Sequence, residues 1–82
     1  MMMEHMDISF DVEELLFELE GTGASSTKPA SLLARHMDMP KRKVAKLVQK
    51  ARDQIRKYGL LIVQNDKGGY YLKRFEEGGS SI

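Results

Sequence analysis

Apolar residues recur at helical spacing through the first two-thirds of the chain and collect into short extended runs after residue 59. Val12, Leu15, Leu16 and Leu19 repeat at intervals of three and four, which predicts a first helix over 12–20 that stops at Gly21. Asp11 followed by Glu14 reads as a capping pair, and Phe10 before it is placed to staple onto Leu15. "GTGASST", 21–27, is a loop by composition. With Thr27 as its cap and Pro29 inside its first turn, a second helix is expected over 28–36, Leu32, Leu33 and Met37 facing inward. "HMDMP" breaks it, and a third helix is expected over 41–58, ended by Gly59. Val44, Leu47, Val48, Ala51, Ile55 and Tyr58 fall within a band of about 100° on that helix. "LLIVQ", 60–64, and "YYLKRF", 70–75, read as strands joined by the turn residues "NDKGG", which makes a β-hairpin. Tyr70 and Tyr71 then point to opposite faces, one into the core and one partly exposed. Phe17 falls outside the inward set of the first helix, either core from another angle or an exposed contact for a partner.

This pattern predicts an α+β fold, three helices followed by a two-stranded hairpin, over residues 11–75. Residues 1–10 are expected to be a flexible or dimer-forming segment; Met1, Met2, Met3, Met6, Ile8 and Phe10 would supply the interface of a homodimer. Residues 76–82 are expected to be a disordered tail. A domain this size buries only roughly 60% of its unfolded surface, so every apolar face has to be covered.

Charge changes the picture. The net charge of +1 conceals a strong division along the chain. Residues 1–27 carry seven acids and no Lys or Arg; residues 28–75 carry all thirteen Lys and Arg against three acids; Glu76 and Glu77 follow. Such asymmetry points to a polyanion-binding region beside an acidic one. On the third helix the arc opposite the apolar band collects Arg42, Lys43, Lys46, Gln49, Lys50, Asp53, Arg56 and Lys57.

A short helix, a brief turn and a longer basic helix form the helix-turn-helix arrangement, whose second helix enters the DNA major groove. The hairpin behind it makes a winged helix-turn-helix. On that reading Arg42, Lys46 and Gln49 are the base-edge candidates: Arg can bridge guanine O6 and N7, and Gln adenine N6 and N7. Lys41, Lys43 and Lys50 beside them are phosphate candidates, as are Lys28 and Ser31 at the start of the second helix and Lys67 in the wing.

"KPASLLARHMDMPKRKVAKL" followed by "YGLLIVQNDKGGYYL" resembles the winged-helix domain of biotin-repressor type and of related phage and archaeal regulators. Gly69, Tyr70 and Leu72 match the wing motif of that family, and the resemblance extends over residues 12–74. It implies sequence-specific binding of double-stranded DNA, usually by a dimer, and a role in transcription regulation. The chain departs from the pattern twice. Pro40 stands where the family has a Ser or Thr hydroxyl, and the helix from Pro40 to Gly59 is about one turn longer than usual, so contact residues cannot be carried over by counting past Gln49.

Other chemistries find little in the sequence. There is no cysteine, hence no disulfide or thiolate metal site. His5 and His36 lack ligand-like spacing, and Glu4 and Asp7 beside His5 make at most a weak group; no metal, cofactor or catalytic set is expected, and the chain is read as a non-enzyme. The longest apolar run, 60–63, falls far short of the roughly 20 residues that span a bilayer. An N-terminus with acids and no Lys or Arg is unlike a secretory leader. A cytoplasmic protein without membrane contact is expected. Two rival readings stay open: a protein-interaction module in a replication or transcription assembly, with the acidic first helix as its surface, and RNA binding.

Overall fold

The computed structural model describes residues 7–74. Their elements are helix α1 (Phe10–Leu19), strand β1 (Lys28–Pro29), helix α2 (Ala30–His36), helix α3 (Lys41–Ile55) with a 3-10 turn (Arg56–Tyr58) on its end, and strands β2 (Leu60–Gln64) and β3 (Gly69–Arg74). The fold is α+β: three helices and one antiparallel sheet in the order β1-β3-β2. The expected hairpin is present, with Ile62 opposite Leu72 and Gln64 opposite Tyr70. The sheet also has a third strand that periodicity did not reveal: Lys28 pairs with Tyr70 and Pro29 with Gly69.

One core joins the three helices to β2 and β3. The apolar stripes read from the sequence close on one another: Val12, Leu15, Leu16 and Leu19 of α1, Leu33 of α2, Val44, Leu47, Val48, Ala51 and Ile55 of α3, and Leu60, Ile62 and Tyr70 of the sheet. Ile8, Met37, Met39, Tyr58 and Leu72 pack on its margin. Tyr70 is the buried tyrosine and Tyr71 the half-exposed one, as strand alternation requires.

Several local expectations are corrected. The first helix begins at Phe10 with Ser9 as its N-cap, and Asp11 sits inside it, its Oδ1 accepting from the neighbouring Val12 amide at 2.8 Å. Phe10 does not staple onto Leu15; it is 74% exposed. The second helix starts at Ala30 because Pro29 is extended (φ −73°, ψ 160°) and serves as its N-cap, which returns Lys28 and Pro29 to the sheet. The α-helical part of the third helix ends at Ile55, and the last turn tightens to 3-10 before Gly59 (φ 77°).

Two closures were not foreseen. Residues 7–9, part of the expected flexible segment, are fastened to the end of α3. The Ser9 amide donates to Gln54 Oε1 at 2.7 Å, Gln54 Nε2 donates to Ser9 Oγ at 2.8 Å, and the Asp7 amide donates to the Tyr58 hydroxyl at 2.6 Å. Residues 1–6 and 75–82 lie outside the described residues, and with them His5 and most of the proposed dimer segment. Between α2 and α3 the chain turns through Asp38, at φ 56°. The Met39 amide reaches back to the Ala34 carbonyl at 2.9 Å. That is a helix stop of the kind usually built on Gly, here occupied by a short polar residue that tolerates the left-handed region. Among the described residues no helix is long and apolar enough to cross a membrane.

Candidate nucleic-acid interface

α3 is held from three sides, by α1, α2 and β2. Its five core residues are buried: Val44, Leu47, Val48, Ala51 and Ile55. Rotation of about 100° per residue places Arg42, Lys46 and Gln49 on the line opposite them, one above the other at intervals of four and three. All three are exposed. Further along the same line Asp53 interrupts the cationic row, so its basic part is confined to the N-terminal two-thirds of the helix.

The first turn is unusual for a helix. It contains Lys41, Arg42 and Lys43, has no acidic residue, and its N-cap is Pro40, which offers no side-chain acceptor. The Pro40 carbonyl takes the Lys43 and Val44 amides, at 2.9 and 3.2 Å. The N-terminal end of a helix is its positive pole and favours acids. Three exposed cations there repel that pole and one another. Among the described residues Lys41, Arg42, Lys43 and Lys46 have no acidic partner.

The remaining basic candidates divide. Lys50 is exposed, but both carboxylate oxygens of Asp11 hold its ammonium, at 2.9 and 3.2 Å. This partner draws the Asp11 carboxyl below its ordinary value: the Lys50 hydrogen bond lowers it most, and partial burial opposes. Lys28 is not part of the second helix, which begins at Ala30. It lies on β1 with Nζ 3.5 Å from Glu18 of α1, and the same carboxylate accepts from His36 Nδ1 at 2.8 Å. The Glu18 carboxyl is drawn down, first by the His36 hydrogen bond and then by the Lys28 charge. Ser31 is exposed in the first turn of α2.

Lys67 is carried on the hairpin tip, and that tip is braced by hydrogen bonds. Asn65 Oδ1 accepts from the Lys67 amide at 3.1 Å and the Gly69 amide at 2.7 Å, while the Gly68 amide closes on the Asn65 carbonyl at 3.0 Å. Gly68, at φ 88°, takes the left-handed position. The side chain of Lys67 is therefore exposed on a backbone fixed by a single Asn. Composition marked "NDKGG" as a turn, and the Asn at its head is the signal that could have predicted this bracing.

Arg52 was not among the sequence candidates, yet it ties α3 to the hairpin. The Asn65 amide donates to the Gly69 carbonyl at 2.8 Å, so alternation turns the amide and carbonyl of Ile62 to the open edge of β2. Arg52 Nε donates to that carbonyl at 3.0 Å. Lys57 instead lies over the ring of Tyr58, 5.4 Å from its centre.

The structure thus brings together Lys41, Arg42, Lys43, Lys46 and Gln49 on one helix. It diverts Lys28 and Lys50 to carboxylates of α1, and it carries Lys67 on a separate element. Compared with known proteins, the chain matches no family model, and no curated protein or solved structure matches it.

Proposed function

We propose that this chain is a DNA-binding module of winged helix-turn-helix type that serves in transcription regulation. α3 enters the major groove, where Arg42, Lys46 and Gln49 read base edges and Lys41 and Lys43 contact phosphates. The hairpin tip brings Lys67 to the backbone or minor groove. One observation carries this reading: the first turn of α3 gathers three exposed, uncompensated cations at the positive end of a helix. For stability alone that arrangement is unfavourable, and local rules broken at a cost mark functional positions. A polyanion relieves the repulsion. The short helix, four-residue turn and longer helix, with the sheet behind them, support the docking geometry.

The test is a titration of labelled duplex DNA at several salt concentrations. Neutralising about six phosphates gives a slope of log affinity against log salt near −5. Affinity that ignores salt, or no binding at low salt, overturns the reading. Competition by an RNA duplex of the same sequence separates DNA from RNA as the ligand, since A-form helices close their major groove to side chains. Selection from a random duplex pool then tests specificity, and Arg42→Ala relaxes preference at one position whereas Lys43→Ala weakens all sequences alike.

A further inference from the structure

We propose that the groove between α1 and the C-terminal end of α2 docks a basic segment of a partner protein, through a Lys or Arg side chain with apolar residues beside it. The groove has a volume of about 280 Å³ and is lined by Glu14, Phe17, Glu18, His36, Met37 and Asp38. That is room for one or two side chains. Its apolar part is Phe17 with the half-buried Met37. Phe17 is 51% exposed, on a helix whose inward apolar residues, Val12, Leu15, Leu16 and Leu19, are buried. It contributes little to the core, so the fold does not account for an aromatic residue here.

The polar part of the groove selects the charge of the occupant. Glu18 is already matched by Lys28 and His36. Glu14 and Asp38 are both exposed and have no cationic partner among the described residues. No Lys or Arg occurs in the first 27 residues to supply one from the same segment. An aromatic face beside two unmatched carboxylates fits a long cationic side chain: its methylene stem covers Phe17 and Met37, and its head reaches the carboxylates. The same charges repel nucleic acid, so this surface and the α3 face serve different ligands. The proposal does not depend on DNA binding by α3.

The experiment is an amide NMR titration of the full chain with two short capped peptides, one alternating Arg and Leu, the other alternating Glu and Leu. The Arg peptide is expected to shift the amides of Glu14, Phe17, Glu18, Met37 and Asp38 saturably, and the Glu peptide to leave them in place. Phe17→Ala, and separately the pair Glu14→Gln and Asp38→Asn, each weaken the Arg peptide about tenfold while the spectrum stays dispersed. Lys46→Ala on α3 leaves it unchanged. Absent binding, or shifts spread along Glu13 and Glu20 and indifferent to Phe17→Ala, overturn the proposal. So does movement of the groove amides when the protein alone is diluted, since the occupant is then a second copy.

Discussion

The ammonium of Lys50 lies between the two carboxylate oxygens of Asp11, at 2.9 and 3.2 Å, and this pair ties the basic helix α3 to the acidic helix α1. The two residues come from the oppositely charged parts of the chain. The contact means that α1 competes with any polyanion for a cation on the flank of the proposed interface.

Asp11→Asn releases Lys50. If duplex DNA binds α3, affinity at low salt rises about two- to threefold, because the phosphate no longer displaces a surface carboxylate. The salt slope steepens by about 1 as one more phosphate is neutralised. Titration of the variant beside the parent chain measures both quantities. An affinity equal to or below the parent value shows that Lys50 does not face the ligand. Folding stability falls by about 0–1 kcal/mol, since the pair is half exposed and screened by salt.

Acid weakens the fold through Asp11 and Glu18. Both carboxyls titrate lower in the folded chain than their ordinary values of 3.8 and 4.5, held down by Lys50 and by His36 with Lys28. The folded state therefore binds fewer protons than the unfolded one. Their stabilisation is complete above those ordinary values and is lost as pH falls through the lowered folded ones. Thermal unfolding followed from neutral pH downward shows a decline confined to that acid range. The double variant Asp11→Asn with Glu18→Gln flattens it, and a parent-like decline in the double variant would place the acid sensitivity elsewhere.

Arg42→Glu separates stability from binding. An acid in the first turn of α3 suits the helix dipole and relieves repulsion among Lys41, Arg42 and Lys43. It stabilises the fold by about 0.3–1 kcal/mol, a rise in melting temperature of roughly 2–6 °C for a domain of this length. Duplex affinity at low salt falls at least tenfold. Differential scanning calorimetry and the DNA titration on one preparation check the opposite signs. A destabilised variant means that Arg42 serves the fold, and an unchanged affinity removes it from the interface.

What the sequence revealed, and what it hid, follows from how local each feature is. The stripe Val44, Leu47, Val48, Ala51 and Ile55 is set by a period within one helix, and its burial was legible. So were the strand LLIVQ, 60–64, and the division of Tyr70 and Tyr71 between a buried and a half-exposed face, though not which of the two is buried. The strand β1 was hidden because two residues, Lys28 and Pro29, carry no period; they become a strand only when Tyr70 and Gly69 arrive beside them. The clasp of Ser9 on Gln54 joins residues 45 apart, and the pairing of Lys50 with Asp11 joins residues 39 apart. The sequence marked Lys50 and Lys28 as cations but not their partners, and so left both as phosphate candidates. Phe10 looked like a staple because the helix was read as starting after Asp11, whereas Phe10 is its first residue and Ser9 its N-cap.

Gly69 illustrates the same limit and supplies the last test. Composition marked both glycines of NDKGG as turn residues, but only Gly68 takes the left-handed conformation. Gly69 is required by a close approach: a Cβ there would lie 2.2 Å from Thr27 Oγ1 and 2.7 Å from Thr27 Cβ. Thr27 immediately precedes β1, so with the Thr27 side chain in place a Cβ at residue 69 displaces the pairing of the third strand with β3. Gly69→Ala destabilises the domain by about 1–3 kcal/mol through overpacking. Thr27→Gly in the same chain restores most of that loss, because the obstructing atoms are gone. Denaturant unfolding of the two single variants and the double gives the coupling energy, which is expected to exceed about 0.5 kcal/mol. A double variant that is no more stable than Gly69→Ala alone would show that the glycine serves the hairpin turn and not the docking of β1.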